Sequence, residues 1–135
     1  MRALETGTKR KENMEMENQE WATDCAADFL RGRGYAIIDT HASCWLRNRK
    51  RTVEVPLIAW EEASDTMAFI RVRTPSMDCW RNPTKRQRTD MGHAMRAWKR
   101  ENRWHGEMRY DVVDVYGTPD KGRPVIDHVR NVKID

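Results

Sequence analysis

The chain has no Cys-x-x-Cys, no long apolar run and almost no serine, and each lack removes a class of protein. Cys25, Cys44 and Cys79 are odd in number and widely spaced, which argues against a disulfide framework and a zinc knuckle and for reduced, mostly buried thiols. His41, His93, His105 and His128 are scattered without the spacing of a metal motif. Serine occurs only at Ser43, Ser64 and Ser76, and there is neither a nucleophile elbow nor a glycine-rich phosphate loop, so a Ser-His-Asp triad has no support. No apolar stretch approaches the roughly 20 residues needed to span a bilayer. With a polar N-terminus as well, the expected location is the cytoplasm, with no membrane partner.

What remains is one domain's worth of chain. The 135 residues suffice for a single core, and with 34% charged against 39% hydrophobic residues that core must draw on six tryptophans and eight methionines. Charge is unevenly placed. Residues 1–44 hold 6 basic and 8 acidic side chains, residues 45–104 hold 14 and 7, and residues 105–135 hold 5 and 6, so the middle carries +7. A basic concentration of this kind is the electrostatic footprint of a phosphate-binding face, set against the plainer reading of a solvated basic surface.

Residues 1–18 lack apolar periodicity and read as a flexible arm, helical near its end, leaving 19–135 as the domain. Ala22, Cys25, Ala26, Phe29 and Leu30 then recur at helical spacing, with Gly32 and Gly34 as stop signals. Tyr35 to Ile38 reads as a short buried strand, and His41 to Lys50 as a polar segment. Strands at 53–60 and 67–73 are joined so closely that they must form an antiparallel hairpin. A helix over 85–102 follows a proline-bearing loop, and strands at 108–115 and 124–129 flank a turn at 118–122. The order is α-β-β-β-α-β-β, an α/β fold.

Several pieces of this order resemble the YraN-like family, small bacterial proteins with a restriction-endonuclease-like fold related to Holliday-junction resolvases. Ala26-Ala27-Asp28-Phe29-Leu30 with Arg33-Gly34-Tyr35-Ala36-Ile37-Ile38 looks like its opening helix and strand. Leu57-Ile58-Ala59 with Phe69-Ile70-Arg71-Val72-Arg73-Thr74 looks like its central hairpin. Residues 109–115 and 126–131 look like its last strands. The resemblance implies a mixed β-sheet flanked by helices. In the family the hairpin reads Gly-Glu-Ile-Asp-Leu-Ile-Ala, then Phe-Val-Glu-Val-Lys-Thr. Carried over, the first Glu is kept as Glu54, the Asp falls on Pro56, the second Glu on Arg71 and the Lys on Arg73. The helix Glu falls on Thr23, beside Asp24.

These replacements matter because magnesium needs hard oxygen ligands to act as a Lewis acid. Proline supplies no side-chain oxygen, and a guanidinium repels the ion. Glu54 beside Arg71 and Arg73 therefore reads as an ion pair, and the expected site has no catalytic residue, metal or cofactor. Arginine forks do suit phosphate. Arg47, Arg49, Lys50, Arg51, Arg71 and Arg73, joined by Lys85, Arg86 and Arg88, are candidates for one basic groove that binds DNA or RNA. Trp80 beside Arg81 and Trp104 beside His105 are weaker candidates for base stacking, core being their commoner place. The leading expectation is a nucleic-acid-binding protein of nuclease-like fold without catalysis. The alternatives are an active magnesium-dependent endonuclease using relocated acids (Glu54, Asp24, Glu61 or Asp65) and a protein-interaction module.

Overall fold

The computed structural model describes residues 2–75 and 82–134, with side chains from residue 16 onward. Helix α1 spans Arg2–Arg31. Its backbone is helical from Arg2 onward. Lys, Glu and Met propagate a helix well, and no proline interrupts them. The stripe of Ala22, Ala26 and Leu30 is fully buried. The helix closes through Gly32 N–H to the Asp28 carbonyl at 3.1 Å and Gly34 N–H to that of Arg31 at 3.2 Å, with Gly34 left-handed at φ 89°.

Strand β1 covers Tyr35–Leu46, three times the length expected. The polar segment assigned to 41–50 is in part edge strand. His41, Ser43 and Trp45 face solvent while Ala42, Cys44 and Leu46 are buried, a period of two that the surrounding polar residues disguised. Strand β2 (Arg51–Glu61) and β3 (Thr66–Arg73) form the expected antiparallel hairpin, joined by the 3-10 turn Glu62–Ser64 and a left-handed Asp65. Helix α2 (Lys85–Asn102) starts with a capping box in which Thr84 and Gln87 bond each other's backbone N–H. It returns the chain to β4 (Glu107–Tyr116), parallel to β3, and β5 (Val125–Val129) folds back antiparallel.

The sheet order is β1-β2-β3-β4-β5. It is the mixed five-stranded α/β sheet that the family resemblance implied, in the order read from sequence. Each face of the sheet carries one layer of core. Leu57, Ala59, Ala68, Ile70, Val72, Val113 and Val115 pack under α1, and Val55, Ile58, Met67, Phe69, Tyr110 and Val112 under α2. Phe69 meets Trp98 of α2 edge to face at 5.4 Å. Among the described residues no helix is long and apolar enough to cross a membrane.

Candidate functional site

Strands β2 and β3 pair from Glu61 with Thr66 to Leu57 with Ile70, and the ladder ends there. Beyond that point β2 stays on β1 as far as Arg51 with Leu46, and β3 stays on β4 as far as Arg73 with Asp114. The sheet forks. Pro56 stands at the branch, where the register with β1 passes from Thr40 and Leu57 to Ala42 and Val55, across His41 at φ 52°. Val55 and Ile58 lie under α2 while Leu57 lies under α1, although residues 55 and 57 of an unbroken strand share a face. The register with β1 is nonetheless constant across this point, and the shift in that ladder lies instead between Ile37 and Asp39. Pro56 and His41 fall between paired residues with no residue inserted on either strand, so the missing N–H of Pro56 costs no ladder bond.

Inside the fork is a cavity of about 310 Å³ lined by Gln19 of α1, Glu54 and Pro56 of β2, Arg71 of β3, Gln87 and Asp90 of α2, and Tyr110 of β4. Glu54 does not form the ion pair expected with the arginines. Its carboxylate, 60% exposed, takes His41 Nδ1 at 2.9 Å, because β2 has left β3 by this point and β1 is its nearest neighbour. Arg73 turns away as well. Parallel register sets it beside the fully buried Asp114, which it grips through Nε at 2.7 Å and Nη2 at 3.0 Å. Thr23 is buried, and its hydroxyl donates to the Gln19 carbonyl of its own helix at 2.9 Å. Of the positions carried over from the resemblance, Glu54, Pro56 and Arg71 share the cavity, whereas Thr23 and Arg73 have other work.

Two polar atoms at this cavity are buried and lack a hydrogen-bond partner among the described residues: Arg71 Nε and the Tyr110 hydroxyl. Burial raises the Tyr110 phenol, keeping it a donor, while Arg71, Arg73 and Arg88 pull it the other way. The donor set does not fit magnesium. A guanidinium and a proline occupy two ligand positions, Glu54 is engaged by His41, and Asp90 is paired with Arg51. Among the described residues no three His, Cys, Asp or Glu side chains are grouped to hold a metal ion.

A second cavity, of about 540 Å³, lies between the turn joining β1 to β2 and the flank of α2. Arg47 and Arg49 come from the turn, and His93, Arg96 and Arg100 from the helix. Arg49 Nη2 is 3.4 Å from His93 Nε2 and Arg96 Nη2 is 2.9 Å from its Nδ1. Burial first, and then the two arginines, lower the His93 pKa from its ordinary value. The anticipated single groove is thus divided. Lys50 is exposed in the turn, Arg51 pairs with Asp90, Arg71 belongs to the fork, and Lys85 and Arg86 are exposed on the first turn of α2. Arg88 donates to the Pro83 carbonyl at 2.7 Å. Sequence reasoning missed His93, Arg96 and Arg100 as partners of the turn. Their spacing of three, then four, was the available signal.

The relocated acids do not gather. Asp24 is exposed on α1, and Asp65 accepts the Trp60 indole N–H at 2.9 Å. Glu61 lies at the opposite end of the hairpin from Glu54, where it takes Arg109 at 2.9 Å, Arg130 at 2.7 Å and the Ser64 hydroxyl at 2.5 Å. Burial would raise its pKa, but hydrogen bonds from Ser64, Arg109 and Tyr35 outweigh that and lower it to about 2. Buried Asp111 completes the cluster, accepting from Arg109 Nε at 2.7 Å and the Asn131 backbone N–H at 3.0 Å and lying 2.9 Å from His128 Nε2. Trp104 is half-buried against the core under α2, with its indole N–H on the Glu107 carbonyl at 3.0 Å. Trp80 and Arg81 lie outside the described residues, as does Cys79.

A comparison with curated proteins finds no match. The motifs read from the first helix, the hairpin and β4 do correspond to a family. The model described as Uncharacterised protein family UPF0102 matches residues 22–115, from the buried stripe of α1 through the fork to the end of β4, and the chain belongs to that family.

Proposed function

We propose that this protein binds nucleic acid without cutting it, through the basic cleft between the β1–β2 turn and α2. The observation that carries the reading is the lining of that cleft. Arg47, Arg49, Arg96 and Arg100 converge there with His93, and no carboxylate is among the described lining residues. Four guanidinium groups from two elements present forked donors over one concave surface, the arrangement suited to phosphate oxygens of a backbone. The reading places the protein in the cytoplasm, where Cys25 and Cys44 stay as the free thiols they are.

Loss of cleavage follows from the fork. Proline and arginine stand where a divalent ion needs oxygen, so no hydrolytic step is assigned to this site. The test is a salt titration of duplex and single-stranded DNA binding. With about four phosphates neutralised, log affinity falls against log salt with a slope near −3.6 on duplex. Changing Arg47, Arg49, Arg96 and Arg100 together to Gln removes that slope. Binding unchanged in the quadruple variant refutes the assignment, and magnesium-dependent cutting abolished by Glu54→Gln refutes the absence of chemistry.

A further inference from the structure

We propose that the fork cavity is a phosphate-binding site, separate from the basic cleft, in which Arg71 Nε and the Tyr110 hydroxyl donate to the oxygens of one phosphate group.

Both atoms belong to side chains that reach the cavity from adjacent parallel strands, and both are buried without a hydrogen-bond partner among the described residues. Tyr110 is 1% exposed. A buried donor left unmet by its own chain is costly, and such groups in folded proteins are rare enough to require a reason. Here the two share one cavity and are of one kind, each able to give a hydrogen, with Arg71 also bringing positive charge. The complement is an acceptor-rich anion. A divalent cation is excluded by the same donors that favour phosphate.

The carboxylates in the lining do not oppose this. Asp90 is neutralised by Arg51, and Glu54 is drawn outward to His41 on the exposed side of the fork. Gln87 accepts the Thr84 N–H through its carbonyl oxygen, which leaves its amide N–H₂ as a further donor at the wall. With room of about 310 Å³, the cavity admits a phosphate together with the group that carries it. The phosphate can be free or the terminal phosphate of a strand. Either occupant requires the same two donors, so the site does not depend on the basic cleft binding a duplex.

The experiment is thermal denaturation of the full chain in sodium phosphate against sodium chloride at equal ionic strength. Phosphate at about tenfold its dissociation constant is expected to raise the melting temperature by on the order of 5 °C. Arg71→Gln and Tyr110→Phe each abolish the rise, while Arg47→Gln with Arg49→Gln retains it. No rise in the parent protein, or a rise that survives both fork variants, overturns the proposal. If one fork variant does not fold, the other decides, read also by line broadening of inorganic phosphate in ³¹P spectra. A second arm compares 5′-phosphorylated with 5′-hydroxyl trinucleotides. Tighter binding of the phosphorylated strand by tenfold or more, lost in Arg71→Gln, assigns the site to strand ends. Equal affinities alongside the phosphate-dependent rise assign it to free phosphate. Duplex binding that fails while the rise persists counts against the basic cleft alone.

Discussion

The two ends of the β2–β3 hairpin hold charged side chains in opposite conditions. At the turn end, Glu61, Arg109, Asp111, His128 and Arg130 are saturated with one another. Arg109 alone bonds Asp111 twice, Glu61 and the Tyr35 hydroxyl. At the fork end, Arg71 Nε and the Tyr110 hydroxyl are buried without a hydrogen-bond partner among the described residues. The first cluster sits where the ladder is unbroken, so partners on β1, β2, β4, β5 and the segment after β5 are held at fixed distances. The second sits where the ladder has parted. Burial and charge alone do not distinguish a structural cluster from a binding site; completeness of hydrogen bonding does.

The largest expected effect tests the saturated end. Asp111→Ala leaves Arg109 buried with a reduced set of acceptors and unties His128 and the Asn131 N–H. A loss of about 3–5 kcal/mol in urea denaturation is expected, as for other broken buried pairs. A loss below about 1 kcal/mol would place this cluster with ordinary surface ion pairs.

Acid breaks the same end more gently. The carboxyl pKa values of Glu61 and Asp111 are lower in the fold than their ordinary 4.5 and 3.8. For Asp111 burial acts upward, and the bonds to His128, Arg109 and Asn131 prevail. A depressed folded pKa means that the unfolded chain takes up protons first. The stability these groups contribute is therefore complete above about pH 4.5 and is lost as pH falls toward about 2. Denaturant midpoints measured between pH 6 and pH 2 should show this drop, and Glu61→Gln should flatten part of it.

The smallest effect is expected at the fork, with its sign as the readout. Tyr110→Phe removes a hydroxyl that has no partner among the described residues, so in phosphate-free buffer the variant should match or exceed the parent by up to about 1 kcal/mol. A destabilisation of more than that shows that the hydroxyl is satisfied within the chain, and the contrast between the two ends then fails.

Much of the frame was legible because its signals are local. The stripe through Ala22, Ala26 and Leu30, the closely joined strands of the hairpin and the proline-bearing loop ahead of α2 each depend on near neighbours. β1 was underread because an exposed edge strand tolerates polar side chains on one face, which hides Ala42, Cys44 and Leu46 among them. For the site, Pro56 and Arg71 were identifiable as replacements of acids, and their departure from metal chemistry could be argued from residue type. Their partners could not. Arg73 reaches Asp114 and Glu54 reaches His41 through register across strands, for which sequence spacing carries no signal.

By itself, then, the amino-acid order determined the elements, the basic middle segment, and the absence of acids from the hairpin, since each follows from local propensity or side-chain chemistry. Only the tertiary structure decided which charges are spent and which are available. Where β2 parts from β3 at Pro56 is a matter of long-range strand pairing, and that parting leaves Arg71 and Tyr110 facing one cavity while Glu61 and Asp111 are satisfied at the other end.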